Sequence, residues 1–131
     1  MDQSKYTETT EGLKVSVIPQ IIDEESSPGE GAFTFAYTIT IENNSQKIVQ
    51  LMERHWIIRS AEIQIGEVVG PGVVGVQPTL APGESFTYTS SAVIHDPIGS
   101  MEGEYTFKDE KGDFFAVKIP RFGLVYEEMM N

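Results

Sequence analysis

The chain has 131 residues, a formal net charge of −11 and no cysteine. That is enough chain for one domain with its own core, and it excludes disulfides, thiolate metal sites and a cysteine nucleophile. No apolar run approaches the roughly 20 residues of a membrane span, the start Met1-Asp2-Gln3-Ser4-Lys5 lacks the basic-then-apolar order of a secretory signal, and the negative charge repels the phosphate backbone of nucleic acids; a cytoplasmic protein that binds neither membrane nor nucleic acid directly is expected.

Along the chain the dominant period is two. Residues 1–10 carry little apolar content and are expected to be a flexible N-terminal segment. Leu13, Val15 and Val17 then alternate until Pro19, which suits an edge strand. Residues Asp23 to Gly31 are acidic and rich in Ser, Pro and Gly, the composition of a mobile loop. Phe33, Phe35, Tyr37, Ile39 and Ile41 alternate with Thr34, Ala36, Thr38 and Thr40, so one face of this strand is large and apolar and the other small and polar.

Glu42-Asn43-Asn44-Ser45 stops that run with turn-forming side chains. The return from about Lys47 to Arg59 predicts a hairpin partner whose apolar residues do not keep one parity, as a β-bulge would produce. Ile63, Ile65 and Val68 mark another strand, and residues Gly70 to Glu84 read as a long loop rich in Gly and Pro. Phe86 and Tyr88, Tyr105 and Phe107, then Phe115, Val117 and Ile119 mark three more strands, with Pro120 ending the last. The sum is an all-β fold: an immunoglobulin or fibronectin type III-like antiparallel β-sandwich of about seven strands over residues 11–125, with 126–131 as a tail. Phe33, Phe35, Tyr37, Ile39, Trp56, Phe86, Tyr88, Tyr105 and Phe107 are the expected core.

Gly70-Pro71-Gly72-Val73-Val74-Gly75 matches G-x-G-x-x-G. In a dinucleotide fold such glycines lead into a helix whose N-terminus holds the pyrophosphate. Here Pro78 and Pro82 follow, and proline interrupts a helix. No helix from Val73 to Thr79 and no nucleotide cradle are therefore expected; a nest of backbone N–H groups assisted by Arg54 or Arg59 is the alternative. His55 and His95 are the only histidines, and neither has metal-ligand spacing with the nearby acids Glu53, Glu84 and Asp96. His55 and Trp56 are adjacent on a strand, so they point to opposite faces; Trp56 reads as the core member.

Several segments together resemble the ApaG family. They are Gln50-Leu51, Arg54-His55-Trp56-Ile57-Ile58, Gly70 to Gly75, Gln77-Pro78, Leu80-Ala81-Pro82-Gly83-Glu84, Phe86-Thr87-Tyr88-Thr89-Ser90 and Met101-Glu102-Gly103-Glu104-Tyr105. Their order and spacing match over nearly the whole chain. Ser91 stands where that pattern commonly has glycine, and Asp96 where it has a small hydroxyl residue. The resemblance implies a fibronectin-type sandwich of the stand-alone bacterial type and no established reaction. It also implies a gene often associated with that of a diadenosine tetraphosphatase and with cobalt and magnesium tolerance. Eukaryotic relatives appended to an F-box protein and to a DNA-polymerase-interacting protein look like interaction modules.

The reading that follows is a non-enzymatic protein-interaction domain, monomeric or weakly dimeric, without cofactor. The alternative is a binder of a phosphate-containing ligand or a divalent cation. The candidate contact residues are Arg54, Gly70, Pro71, Gly72, Val73, Val74, Gly75, Gln77, His95 and Met101, because long Gly/Pro loops in compact domains carry recognition and Met adapts to binding surfaces.

Overall fold

A computed structural model describes residues 5–126. Among these, nine strands form: β1 (Tyr6–Thr10), β2 (Leu13–Ile21), β3 (Phe33–Asn43), β4 (Val49–Ser60), β5 (Ile63–Pro71), β6 (Thr79–Leu80), β7 (Ser85–Ile94), β8 (Ile98–Asp109) and β9 (Phe114–Val125). One sheet has the order β1-β2-β3-β7 and the other β5-β4-β8-β9, with β6 joined to the start of β4. Every pairing between named strands is antiparallel. Seven strands, β2-β3-β7 facing β5-β4-β8-β9, reproduce the expected immunoglobulin/fibronectin arrangement; β1 and β6 are additions to it.

The alternation in β3 becomes the core as expected. Phe33, Phe35, Tyr37, Ile39 and Ile41 are buried, while the hydroxyls of Thr38 and Thr40 meet those of Thr89 and Thr87 on β7 at 2.9 and 3.0 Å. Across the sandwich Tyr37 meets Trp56 at 5.4 Å and Phe122 at 5.7 Å between ring centroids, and Trp56 meets Phe122 edge-on at 5.9 Å. Such tilted pairs each add about 0.5–1.5 kcal/mol beyond burial. Of the expected core only Phe86 is half-buried, because β7 is the last strand of its sheet and one side of the ring lacks a neighbouring strand. The parity break in β4 is a register shift at Leu51/Glu53 against β8 and a second at Ile58/Arg59 against β5.

The expected hairpin of β3 with β4 does not form. β3 pairs β2 and β7, and β4 lies in the opposite sheet. Asn43 directs the crossing. Its side chain is fully buried; Nδ2 donates to the carbonyls of Lys47 and Leu80 at 2.8 and 2.9 Å, and Oδ1 accepts from the Ser45 amide and hydroxyl at 3.0 and 2.6 Å. Its backbone N–H donates to Glu84 O and its carbonyl accepts from Gly83 N.

Residues 6–10 are not a loose segment. They pair with β2 through the two-residue Glu11-Gly12 turn, at φ 49° and 83°, the primed geometry that matches strand twist, and the Tyr6 ring lies 6.2 Å from that of Phe122. β2 is consequently an inner strand, and Pro19 is tolerated because it lies past the last β1 partner, Val17. Residues 23–31 contain two single 3-10 turns tied to β3, with Ser26 Oγ accepting from Thr34 N at 2.9 Å and Thr34 Oγ1 donating to Glu25 O at 2.8 Å. Pro120 lies inside β9 rather than ending it. Tyr126 is buried against Phe33; residues 1–4 and 127–131, which complete the expected terminal segments, lie outside the described residues.

Two predictions follow from these contacts. Asn43→Ala and Asn43→Asp should each destabilise the domain by about 2–4 kcal/mol in chemical denaturation, since either leaves buried carbonyls without donors; a parental midpoint in both would show that the crossing does not depend on this amide. Asp109 caps the β8–β9 turn, and the backbone N–H groups of Asp113 and Lys111, with Lys47 nearby, hold its carboxyl below the ordinary aspartate value. A depressed folded value gives stability that is present above the unfolded value and lost as pH falls through the folded one. Asp109→Asn should flatten the acid limb of the stability–pH curve; an unchanged slope below about pH 4 would remove Asp109 from the acid response.

Candidate functional site

The bulge at Leu51/Glu53 resets the parity of β4, so Arg54 shares the inward face with Trp56 and Ile58. A charged side chain thereby faces the space between the sheets. Its Nη1 donates to the carbonyls of Pro71 and Gly72, both at 3.0 Å. The loop it holds is a tight hairpin. Val73 and Val76 exchange backbone hydrogen bonds at 2.9 Å, Gly72 N donates to Met52 O at 2.9 Å, and Gln77 Nε2 reaches Met52 O at 3.0 Å.

Gly72 has φ +62°, and a Cβ there would lie 2.2 Å from Val76 O. Val74 and Gly75 occupy the turn at φ 42° and 83°. A β-branched residue in the left-handed region is strained by about 1–2 kcal/mol, and Val74 is nonetheless 56% exposed. No helix starts between Val73 and Thr79. The N–H groups of Gly72, Val73 and Val76 are engaged by backbone carbonyls, which leaves little of a phosphate nest. The expected structureless stretch from Gly70 to Glu84 is shorter than its composition suggests: β5 extends to Pro71, and β6 pairs with β4 through Val49↔Leu80 and Gln50↔Thr79.

Beside this loop the sandwich is open. β5 and β7 are the terminal strands of their sheets, and between them lies a cavity of about 320 Å³ lined by the Arg54, Trp56 and Ile58 face, Val68, Tyr37, Tyr88 and Ser90 to Ala92 of β7, Met101 and the Val73–Gly75 turn. Tyr88 Oη meets Tyr105 Oη at 2.5 Å beneath it. Burial pushes the phenols of Tyr88 and Tyr105 well above the usual tyrosine value, and burial also raises Tyr37 against the opposing pull of Ser90 and Arg54. All three stay neutral donors at neutral pH.

Most of the candidate residues converge here. Gly70, Pro71, Gly72, Val74, Gly75, Gln77 and Arg54 form one corner of the open side. Val73 and Met101 do not belong to an outer surface: each is 1% exposed, plugging the cavity from within, because both face inward in the pairing of their segments. His95 lies apart. Its amide donates to Ser60 Oγ at 3.2 Å, and its ring meets Gly31 O; Gln77 bonds Met52 at the other end of β4, and the eight residue steps from Met52 to Ser60 span about 26 Å at about 3.3 Å per residue.

His55 faces outward as expected and meets Glu67 on β5 at 2.5 Å. Among the described residues no group of three or more His, Asp or Glu gathers as a cation site. Tyr37, Tyr88, Ser90 and Ala92 escaped sequence reading because the registers Tyr37↔Ser90 and Phe35↔Ala92 exist only after β3 and β7 pair.

The architecture places the molecule among fibronectin-type β-sandwich domains. The ApaG domain model matches residues 23–109. Protein ApaG of Acidithiobacillus ferrooxidans (strain ATCC 53993 / BNL-5-31) is 48% identical over 112 residues, 86% of this chain and 88% of that protein. Protein ApaG of Methylobacterium sp. (strain 4-46) is 48% identical over 119 residues, 91% of this chain and 92% of that protein. A crystal structure from Bordetella pertussis, described as an ApaA protein, superposes with a TM-score of 0.84 at 43% identity and covers 92% of this chain and 96% of that one. The chain belongs to the ApaG family.

The strain at Val74 is open to test. Val74→Asn suits the left-handed turn position and should raise stability by about 0.5–1 kcal/mol in denaturant titration; a loss of stability would show that the valine contacts outweigh its backbone strain.

Proposed function

We propose that this ApaG domain is a non-enzymatic protein-interaction module that takes up an extended segment of a partner along β5. What supports the reading is β5 itself. Ile63, Ile65, Val68 and Val69 are all exposed, Val69 at 64% and Ile63 at 71%. The strand has no neighbour beyond it among the described residues. It carries no Lys, and its one carboxylate, Glu67, is paired with His55. Edge strands usually avoid pairing through charge or short length; this one has nine residues and neither defence. Unpaired main-chain groups would provide affinity and the aliphatic side chains selectivity, as in strand addition generally.

The net charge of −11 supports a basic partner. Two copies of the chain repel one another, whereas a segment flanked by Lys or Arg is attracted. The partner is therefore a different, basic protein. The Val74, Val76 and Gln77 side chains, exposed beside the strand end, extend the contact surface.

The test combines capture with hydrogen exchange. A partner captured by the parent domain should slow exchange of the Ile63–Pro71 amides. The double variant Ile65→Lys/Val69→Lys, folded by circular dichroism, should lose it. Capture that survives the double variant, or that leaves β5 amides unprotected, overturns the reading.

A further inference from the structure

We propose that the cavity between β5 and β7 binds a small organic carboxylate with an apolar body, its headgroup held by Arg54. This goes beyond the strand-addition reading, which concerns the outward face and edge of β5.

The first observation is the segregation of the lining. Along β4 the inward residues run Arg54, Trp56, Ile58, and along β7 they run Tyr88, Ser90, Ala92. Arg54 lies at the same end as the Val73–Gly75 turn and close enough to Tyr37 and Tyr88 to act on both phenols. Ile58, opposite Met101 in the register, marks the other end with Ala92. A polar head and an apolar tail are thus set apart over the four residue steps from Arg54 to Ile58, about 13 Å at strand rise. The volume, about 320 Å³, lies at the small end of ligand pockets, and the lining mixes polar groups at Arg54, Tyr37, Tyr88 and Ser90 with apolar ones at Trp56 and Ile58.

The second observation is charge. The chain has 20 Asp and Glu residues, yet none of the 13 lining residues is acidic and Arg54 is the only cation among them. Among the described residues Arg54 makes no ion pair, although Arg59 and Arg121 each meet a glutamate. A half-buried guanidinium without a carboxylate is matched by a ligand anion. One guanidinium matches one negative charge. A polyphosphate would bring several more against a strongly acidic protein, so the site favours a monoanion.

The third is orientation. Nη1 is held by the Pro71 and Gly72 carbonyls, two of the five guanidinium donors. The other three remain for a ligand. The group lies flat over Gly70, where a Cβ would stand 3.1 Å from Nη1 and 3.2 Å from Nη2. A guanidinium already fixed in place recognises a planar carboxylate at lower entropic cost than a free one.

Trp56, the sole tryptophan, forms the cavity wall, so its fluorescence reports occupancy. Full-length protein is titrated with hexanoate, hexanol and inorganic phosphate. Hexanoate should give a saturable change, with hexanol and phosphate each at least about tenfold weaker, the ratio expected for losing one charged contact or the apolar burial. Arg54→Met should weaken hexanoate about tenfold or more. Because that variant also frees the 70–77 loop, Ala92→Leu provides the second arm: it fills the apolar end without touching the guanidinium and should abolish binding. Val69→Lys, on the outward face, should leave hexanoate binding intact, which separates this site from the partner surface. No saturable change up to about 10 mM hexanoate, equal binding of hexanol, or full binding in both cavity variants overturns the proposal.

Discussion

A single buried amide decides the architecture. Asn43 ends the strand with the strongest apolar alternation in the chain, and at that point the chain must either turn back into the same sheet or cross to the other. Every polar atom of its side chain has a partner in the crossing: Lys47 O, Leu80 O and the Ser45 amide and hydroxyl. An unsatisfied buried amide would cost several hydrogen bonds at once. The arrangement that satisfies it is the one that lifts β4 into the opposite sheet. From there Trp56, with Phe122 of its own sheet beside it, can meet Tyr37 across the sandwich.

The crossing has a consequence at the other side of the molecule. With β4 opposite β3, each sheet runs out on the same flank, at β5 and at β7. Those two terminal strands are not sealed to one another, and the side chains between them do not fill the space. On the closed flank β9 packs on β1 and β2, with the Tyr6 ring near Phe122. The sandwich is therefore asymmetric: tightly covered where the N-terminal hairpin lies, and open where β5, the 70–77 loop and β7 meet. An inward Arg, a strained Val at a turn and an exposed aliphatic edge strand are each unfavourable for stability alone. All three lie on the open flank, and that coincidence is the strongest argument that recognition happens there. Each is also a local departure from the rules the rest of the fold obeys, which is where functional residues concentrate.

The 70–77 loop shows how a motif changes meaning with its surroundings. Its glycines satisfy the spacing of a dinucleotide fingerprint, but no helix dipole follows and the Gly72, Val73 and Val76 N–H groups are engaged by backbone carbonyls. The glycines instead permit the close approach of Gly72 to Val76 and the passage of the Arg54 guanidinium over Gly70. In the proposed carboxylate site the recognising group is the arginine that braces the loop, not the loop backbone.

Much of this protein was determined by local sequence. Strict alternation in β3, β7 and β8 declares strands and an inward face, since the side-chain period of a strand is two whatever it pairs with. The broken parity of residues 47–59 announces a bulge, and the prolines after Gly75 exclude a nucleotide-type helix, both from covalent geometry alone. Tertiary structure decided which strands pair. The N-terminal strand was illegible because Tyr6–Thr10 is held by main-chain bonds to β2, by threonine hydroxyls that meet Ser16 and the Lys118 amide and by the Tyr6 ring on Phe122, none of which writes an apolar pattern. The β3–β4 hairpin was a fair reading of a turn cluster, overturned by carbonyls at Lys47 and Leu80 that only the fold brings to Asn43. The cavity could not be read at all: Arg54 and Ser90 are far apart in the chain, and only the packing of two different sheets brings them around one cavity, because side-chain direction is local but strand partnership is a global solution to burial.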